Sequence, residues 1–197
     1  MLRKALMLAV ALAALLMPSV SEAMGIGFFY ATGSGDSTTR IEGLPDSTDT
    51  LDFSARGLML DTNMGKDATF NYRLGLAASS YGGRDHQYDG FVIVNDFGFS
   101  PARNERARLW IGPEIMISSI DDKTPAMSLK LFGFGMGVAL GGNLHITGNT
   151  SVTLKAAYIT QTLTGHMDID GVATDLTTED DFIYASMSLV LRFGERF

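Results

Sequence analysis

The sequence predicts an all-β fold: a closed antiparallel transmembrane β-barrel of about eight strands, preceded by a cleaved signal peptide. Three observations carry this. Apolar residues alternate with small or polar ones at period two, the signature of strands with two unlike faces. Short Gly/Asp/Asn/Ser/Pro clusters punctuate the alternation. No apolar run beyond Ala23 approaches the roughly 20 residues a spanning helix needs. A chain of this kind crosses a bilayer only as a closed barrel, because every backbone amide must be paired within lipid.

Residues 1–23 read as an export signal. Arg3 and Lys4 supply a positive start, Ala5 to Met17 form an uncharged apolar run, and Pro18 breaks it. Ser21 and Ala23 place small residues where a signal peptidase reads. The barrel then occupies 24–197 as one domain, within the usual single-domain size. The formal net charge is −7, and losing Arg3, Lys4 and Glu22 with the leader makes it one unit more negative. An acidic chain without clustered Lys and Arg does not suit nucleic acid. With no cysteine, the fold is not a disulfide scaffold.

Eight alternating segments follow, at about 25–34, 51–61, 69–81, 88–99, 107–118, 128–140, 150–162 and 182–193. In the third, Phe70, Tyr72, Leu74, Leu76 and Ala78 interleave with Asn71, Arg73, Gly75, Ala77 and Ser79. The fifth sets Leu109, Ile111, Pro113, Ile115 and Ile117 against Arg108, Trp110, Gly112, Glu114 and Met116. The seventh sets Val152, Leu154, Ala156 and Tyr158 against Ser151, Thr153, Lys155 and Ala157. In the eighth, Ile183, Ala185, Met187, Leu189, Leu191 and Phe193 share one face. The fourth fits neither parity through Asn95 and Asp96, and a bulge there repairs it. The sixth alternates Gly133, Gly135 and Gly137 with Phe132, Phe134, Met136 and Val138, as a narrow barrel with a crowded interior requires. Short connections at 62–68, 100–106 and 141–149 suit periplasmic turns, and 35–50 and 163–181 suit long outer loops.

A soluble, ligand-enclosing barrel shares this period. Lipid outside is favoured because the majority face is almost uncharged, while the minority face carries single charges of both signs: Arg56, Arg73, Glu114, Lys155 and Arg192.

The chain ends with Met187, Leu189, Leu191, Phe193 and Phe197 at alternate positions, interrupted only by Glu195. This resembles the C-terminal strand of Gram-negative outer-membrane proteins. With the leader and strand count, the mature chain resembles the small OmpA/OmpX-type barrels. The resemblance implies a bacterial outer-membrane location, surroundings of outer-membrane lipid and lipopolysaccharide, and Leu189, Leu191, Phe193 and Phe197 as a signal to the barrel-assembly machinery. It also implies that the last strand pairs with the first.

Arg56, Arg73, Glu114, Lys155 and Arg192 are the expected lumen ion network, centred on Glu114, with Asp96 or Asp52 as further contributors. A narrow lumen filled by side chains demands that such charges be paired. The same residues also suit a charged constriction that selects ions. Ser79, Ser80, Asp85 and His86 lie close in sequence, as a lipid A hydrolase or acyltransferase would need; Ser, Asp and His in a surface loop more often make a turn. Asp168, Asp170 and Gly171 fail a calcium-loop pattern, since Thr177 stands where the terminal Glu belongs. Asp170 and Gly171 fit a tight hairpin turn instead. The sequence therefore assigns no catalytic residue, cofactor or metal site. It leads to a structural or surface-interaction barrel whose lumen is plugged by ion pairs. A lipid A-modifying barrel enzyme and a narrow channel for small solutes remain the alternatives.

Overall fold

The computed structural model describes residues 23–63, 69–83, 86–104, 106–124, 127–169 and 171–194. The expected signal peptide, apart from Ala23, lies outside the described residues, as do Asp85, Asp170 and Phe197. Eight strands follow in order: β1 (Ala23–Ile41), β2 (Ser47–Asn63), β3 (Phe70–Gly82), β4 (Gln87–Arg103), β5 (Ala107–Lys123), β6 (Met127–Thr147), β7 (Thr150–Ile169) and β8 (Val172–Gly194). Each pairs antiparallel with its chain neighbours, and β1 pairs with β8 from Ala23 opposite Gly194 to Ile41 opposite Leu176, closing the ring. Closure leaves no strand edge within the wall, the condition for lying in lipid.

The alternation resolves into two faces. Phe28, Leu58, Phe70, Ile111, Phe134, Met136, Leu154, Ile183, Leu189 and Phe193 are exposed on the outer wall; Phe28 and Met136 reach 72% and 71%. Trp110, Met116, Ile159, Phe182 and Val190 are buried within the lumen, alongside Arg73, Glu114, Lys155 and Arg192. An outer wall of this chemistry is stable only against hydrocarbon.

The expected long outer loops are strands instead. β1 and β2 stay in register to Thr39 opposite Ser47, and β7 and β8 to Ile169 opposite Val172. These extensions carry Ser, Thr and Asp outward, so no apolar stripe marked them as sheet. Their inward residues, such as Ile41, Leu51, Leu163 and Leu176, hold the parity, and Thr-rich runs favour strand. Thr38 and Thr48 join hydroxyls across the first hairpin at 3.1 Å. Arg40 bridges Asp46 and Glu179. Gly43 (φ 83°) and Gly171 (φ 85°) supply the left-handed residues that let the two hairpins turn tightly. Gly171 N donates to Asp168 Oδ1 at 2.9 Å, tying the residue before β8 to the end of β7.

No bulge falls at Asn95 or Asp96. Val92, Val94 and Asp96 point inward, while Asn95 points outward and accepts a hydrogen bond from Tyr72 Oη at 2.8 Å. That partner lets a polar side chain sit on the apolar wall. The irregularity lies further along β4, between Phe99 and Ala102.

The inward glycines of β6 clear space for bulky neighbours. A Cβ at Gly135 would lie 2.8 Å from Gln161 Cβ and 2.9 Å from Ile159 Cγ2. One at Gly141 would strike the Trp110 ring. Gly141→Leu is therefore expected to destabilise the barrel by about 1–3 kcal/mol through overpacking. Trp110 is the sole tryptophan of the chain, so its emission in folded protein reports the disturbance directly. Gly148→Ala, at a turn where nothing lies within 4 Å, serves as the control and should leave emission and stability unchanged.

Candidate functional site

The lumen is filled by stacked polar and aromatic layers. At the level nearest the chain termini, Asp61 Oδ2 accepts from Arg73 Nε at 3.3 Å and Arg192 Nη2 at 2.9 Å. Arg73 also donates to Asn143 Oδ1, which takes a second bond from Trp110 Nε1 at 3.1 Å. The Arg73 guanidinium stacks 4.4 Å above the Trp110 ring, a cation–π contact that desolvation strengthens. Arg192 Nε donates to Ser151 Oγ at 3.1 Å.

A second layer is built on Lys155. Its Nζ donates to Asp96 Oδ1 at 3.0 Å, Glu114 Oε2 at 2.8 Å and Tyr184 Oη at 2.8 Å. Tyr184 Oη in turn donates to Glu114 Oε1. The Lys155, Asp96 and Glu114 side chains are at most 4% exposed. Phe53 packs beside this layer, its ring 5.5 Å from Tyr184, 5.3 Å from Tyr81 and 5.1 Å from Phe182.

Towards the outer end, a hydrogen-bonded row crosses the lumen. Tyr81 Oη donates to Ser118 Oγ at 2.8 Å, and Ser118 Oγ donates to Gln161 Oε1 at 3.0 Å. Gln161 Nε2 donates to Asp180 Oδ2 at 2.7 Å, and Ser37 Oγ donates to Asp180 Oδ1. Five strands contribute one residue each.

These layers separate the expected network into two clusters. Glu114 and Lys155 meet, with Asp96 joining them. Arg73 and Arg192 meet on Asp61, which the sequence reading passed over. Arg56 is not in the lumen. Asp61 faces Arg73 across the β2–β3 ladder, and Arg56 stands an odd number of residues away, so it points outward. It lies opposite Tyr30, where the outer wall passes from Phe28 and Leu58 to Thr32, Ser54 and Asp52. Asp52 also faces out. Apolar residues occupy both parities of β2, so periodicity alone misplaces its charges. The cross-strand match of Asp61 with Arg73 is the signal that was available.

No protein-family model matches the chain. No curated protein matches it in sequence either. Solved structures do match its fold. The outer membrane protein OprG from Pseudomonas aeruginosa aligns with a TM-score of 0.61 at 14% identity, over 88% of this chain and 97% of that one. The fold is that of a small outer-membrane β-barrel. The N-terminal barrel domain of Pseudomonas aeruginosa OprF (TM-score 0.47, 11% identity, 87% of this chain and 98% of that one) is more distant. So is Ail, the attachment invasion locus protein of Yersinia pestis (0.43, 13%, 87% and 99%).

Leu189, Leu191 and Phe193 stand in a row on the outer face of β8, each at least half exposed. β8 is also the strand that closes on β1. The serines of the sequence's Ser/His set part company. Ser79 is buried on the lumen side, whereas Ser80 faces the other way and its Oγ donates to the Tyr88 carbonyl at 3.5 Å. The His86 ring lies 6.4 Å from that of Tyr88. Among the described residues, no group of three His, Asp or Glu is arranged to hold a metal ion.

Proposed function

We propose that this protein is a non-conducting, non-catalytic outer-membrane barrel whose lumen is plugged by its own side chains, and whose outer rim is its working surface. The observation that carries the reading is the pair of buried charge layers, Asp61 with Arg73 and Arg192, and Lys155 with Asp96 and Glu114, stacked in one lumen. Ions would have to displace fully desolvated pairs to pass, at a cost of several kcal/mol each. In this reading lipopolysaccharide meets the outer wall, with Arg56 at the level where that wall turns polar, and the β8 row of Leu189, Leu191 and Phe193 serves assembly.

Planar-bilayer recording tests the plug. The refolded full-length mature chain should give no stepwise current at high salt, and discrete unitary steps would overturn the plug. The non-catalytic half is checked separately: lipid A from cells with and without the gene should show one acylation pattern, and an altered pattern would replace this reading with the enzyme.

A further inference from the structure

Above the row from Tyr81 to Asp180 the lumen opens outward as a cup of about 480 Å³. Its walls include Leu51, Ile120, Leu129, Leu131, Leu163 and Leu176, all inward-facing and almost fully buried or lining the cup. Its floor holds the Tyr81 ring and the Asp180 carboxylate. A concave cavity of this size that sets an apolar wall beside polar groups, here Ser37, Thr39, Thr50 and Thr178, is how small-molecule sites are built.

Asp180 is the unusual group. It is 2% exposed, and each oxygen accepts one neutral hydrogen bond, from Ser37 and Gln161. Asp61, Asp96 and Glu114 each have a Lys or Arg within salt-bridge distance. Among the described residues no cation bridges Asp180. A buried carboxylate without counter-charge is costly, and each oxygen retains a free lone-pair direction. A bare metal ion is poorly served: besides Asp180 the walls offer mainly the hydroxyls of Ser37, Thr39, Thr50 and Thr178, and among the described residues no three acidic or histidine side chains converge where a hard cation needs six or more oxygens.

We propose that the cup binds a small organic cation, an ammonium group on an apolar body. The ammonium sits on Asp180 and against the Tyr81 ring, and the body packs against the leucines. Asp49 at the rim adds attraction for a cation. The inference goes beyond the plugged-barrel reading and does not depend on it, since binding and conductance are read separately.

The test uses the full mature chain in nanodiscs, with empty nanodiscs subtracted. 3-Phenylpropylammonium is titrated by calorimetry beside 3-phenylpropanol, which has nearly the same shape and no charge. The ammonium should bind saturably at one site, about tenfold or more tighter than the alcohol, as a charge-assisted bond to a buried group implies. Asp180→Asn, nearly isosteric, should erase that preference. Leu131→Trp, which fills the cup, should abolish binding of both probes. Folding of each variant is checked by the heat-dependent gel mobility of a closed barrel. No heat beyond empty nanodiscs, equal affinity for the two probes, or a preference that survives Asp180→Asn would overturn the proposal.

Discussion

Replacing Lys155 by methionine is expected to lower the barrel's unfolding free energy by about 3–5 kcal/mol, the range for removing one partner of a buried ion pair. Among the described residues Lys155 is the one cation bridging both Asp96 and Glu114, whose side chains are at most 2% exposed. Its loss leaves two carboxylates facing each other in a water-poor interior. Methionine keeps most of the side-chain volume, so the effect reads charge and not a cavity. Glu114→Gln should cost less, about 1–3 kcal/mol, because Lys155 keeps Asp96 and the amide still hydrogen-bonds. The sequence reading centred the network on Glu114, whereas the geometry centres this layer on Lys155. Urea titrations of vesicle-reconstituted protein, followed by Trp110 emission, separate the two. A larger loss for Glu114→Gln than for Lys155→Met would reverse the assignment.

Asp61→Ala should cost a similar amount, about 3–5 kcal/mol. Asp61 is the acceptor shared by Arg73 and Arg192, and all three side chains are at most 4% exposed. Arg73 keeps Asn143 and the Trp110 face, and Arg192 keeps Ser151, so both retain hydrogen bonds while losing their carboxylate. Two neighbouring guanidinium groups would then share one buried layer. Arg56→Ala, on the outer wall, should by contrast change stability by less than about 0.5 kcal/mol. A loss under about 1 kcal/mol for Asp61→Ala would mean that water reaches this layer. Arg73 stands directly opposite both Asp61 and Asp96 across its neighbouring strands, so the two clusters share a partner. The effects of Asp61→Ala and Lys155→Met should therefore depart from additivity by about 0.5 kcal/mol or more. A strictly additive double mutant would show the two layers to be independent.

Much of this was readable from residue order, for a physical reason. Where a strand meets lipid on one side and packed polar groups on the other, its two faces differ so strongly that parity is unambiguous. β3, β5, β7 and β8 are of this kind. Legibility failed where the contrast faded. β2 carries apolar residues on both faces, which put Arg56 in the lumen and left Asp61 unnoticed. Above the membrane the outer face turns to Ser, Thr and Asp, so the upper parts of β1, β2, β7 and β8 read as loops. The apolar cup was hidden for a related reason: once greasy residues are assigned to lipid, leucines that line an interior go unrecognised. Which charge meets which depends on register between strands, and one strand's period does not contain it.

Below the cup, from Ile183 to Arg192, odd-numbered residues of β8 form the apolar outer wall while even-numbered ones face the packed, water-excluding interior. The chain has no cysteine, so single cysteines at successive positions from Ile183 to Arg192 can each carry a nitroxide label without background. In liposomes, labels at the positions of Ile183, Ala185, Met187, Leu189 and Leu191 should relax with oxygen dissolved in the bilayer. Labels at Ser186 and Ser188 should be shielded from a water-soluble nickel chelate. Chelate contact at the odd positions would contradict the lipid-facing wall, and chelate contact at Ser186 and Ser188 would contradict the closed lumen.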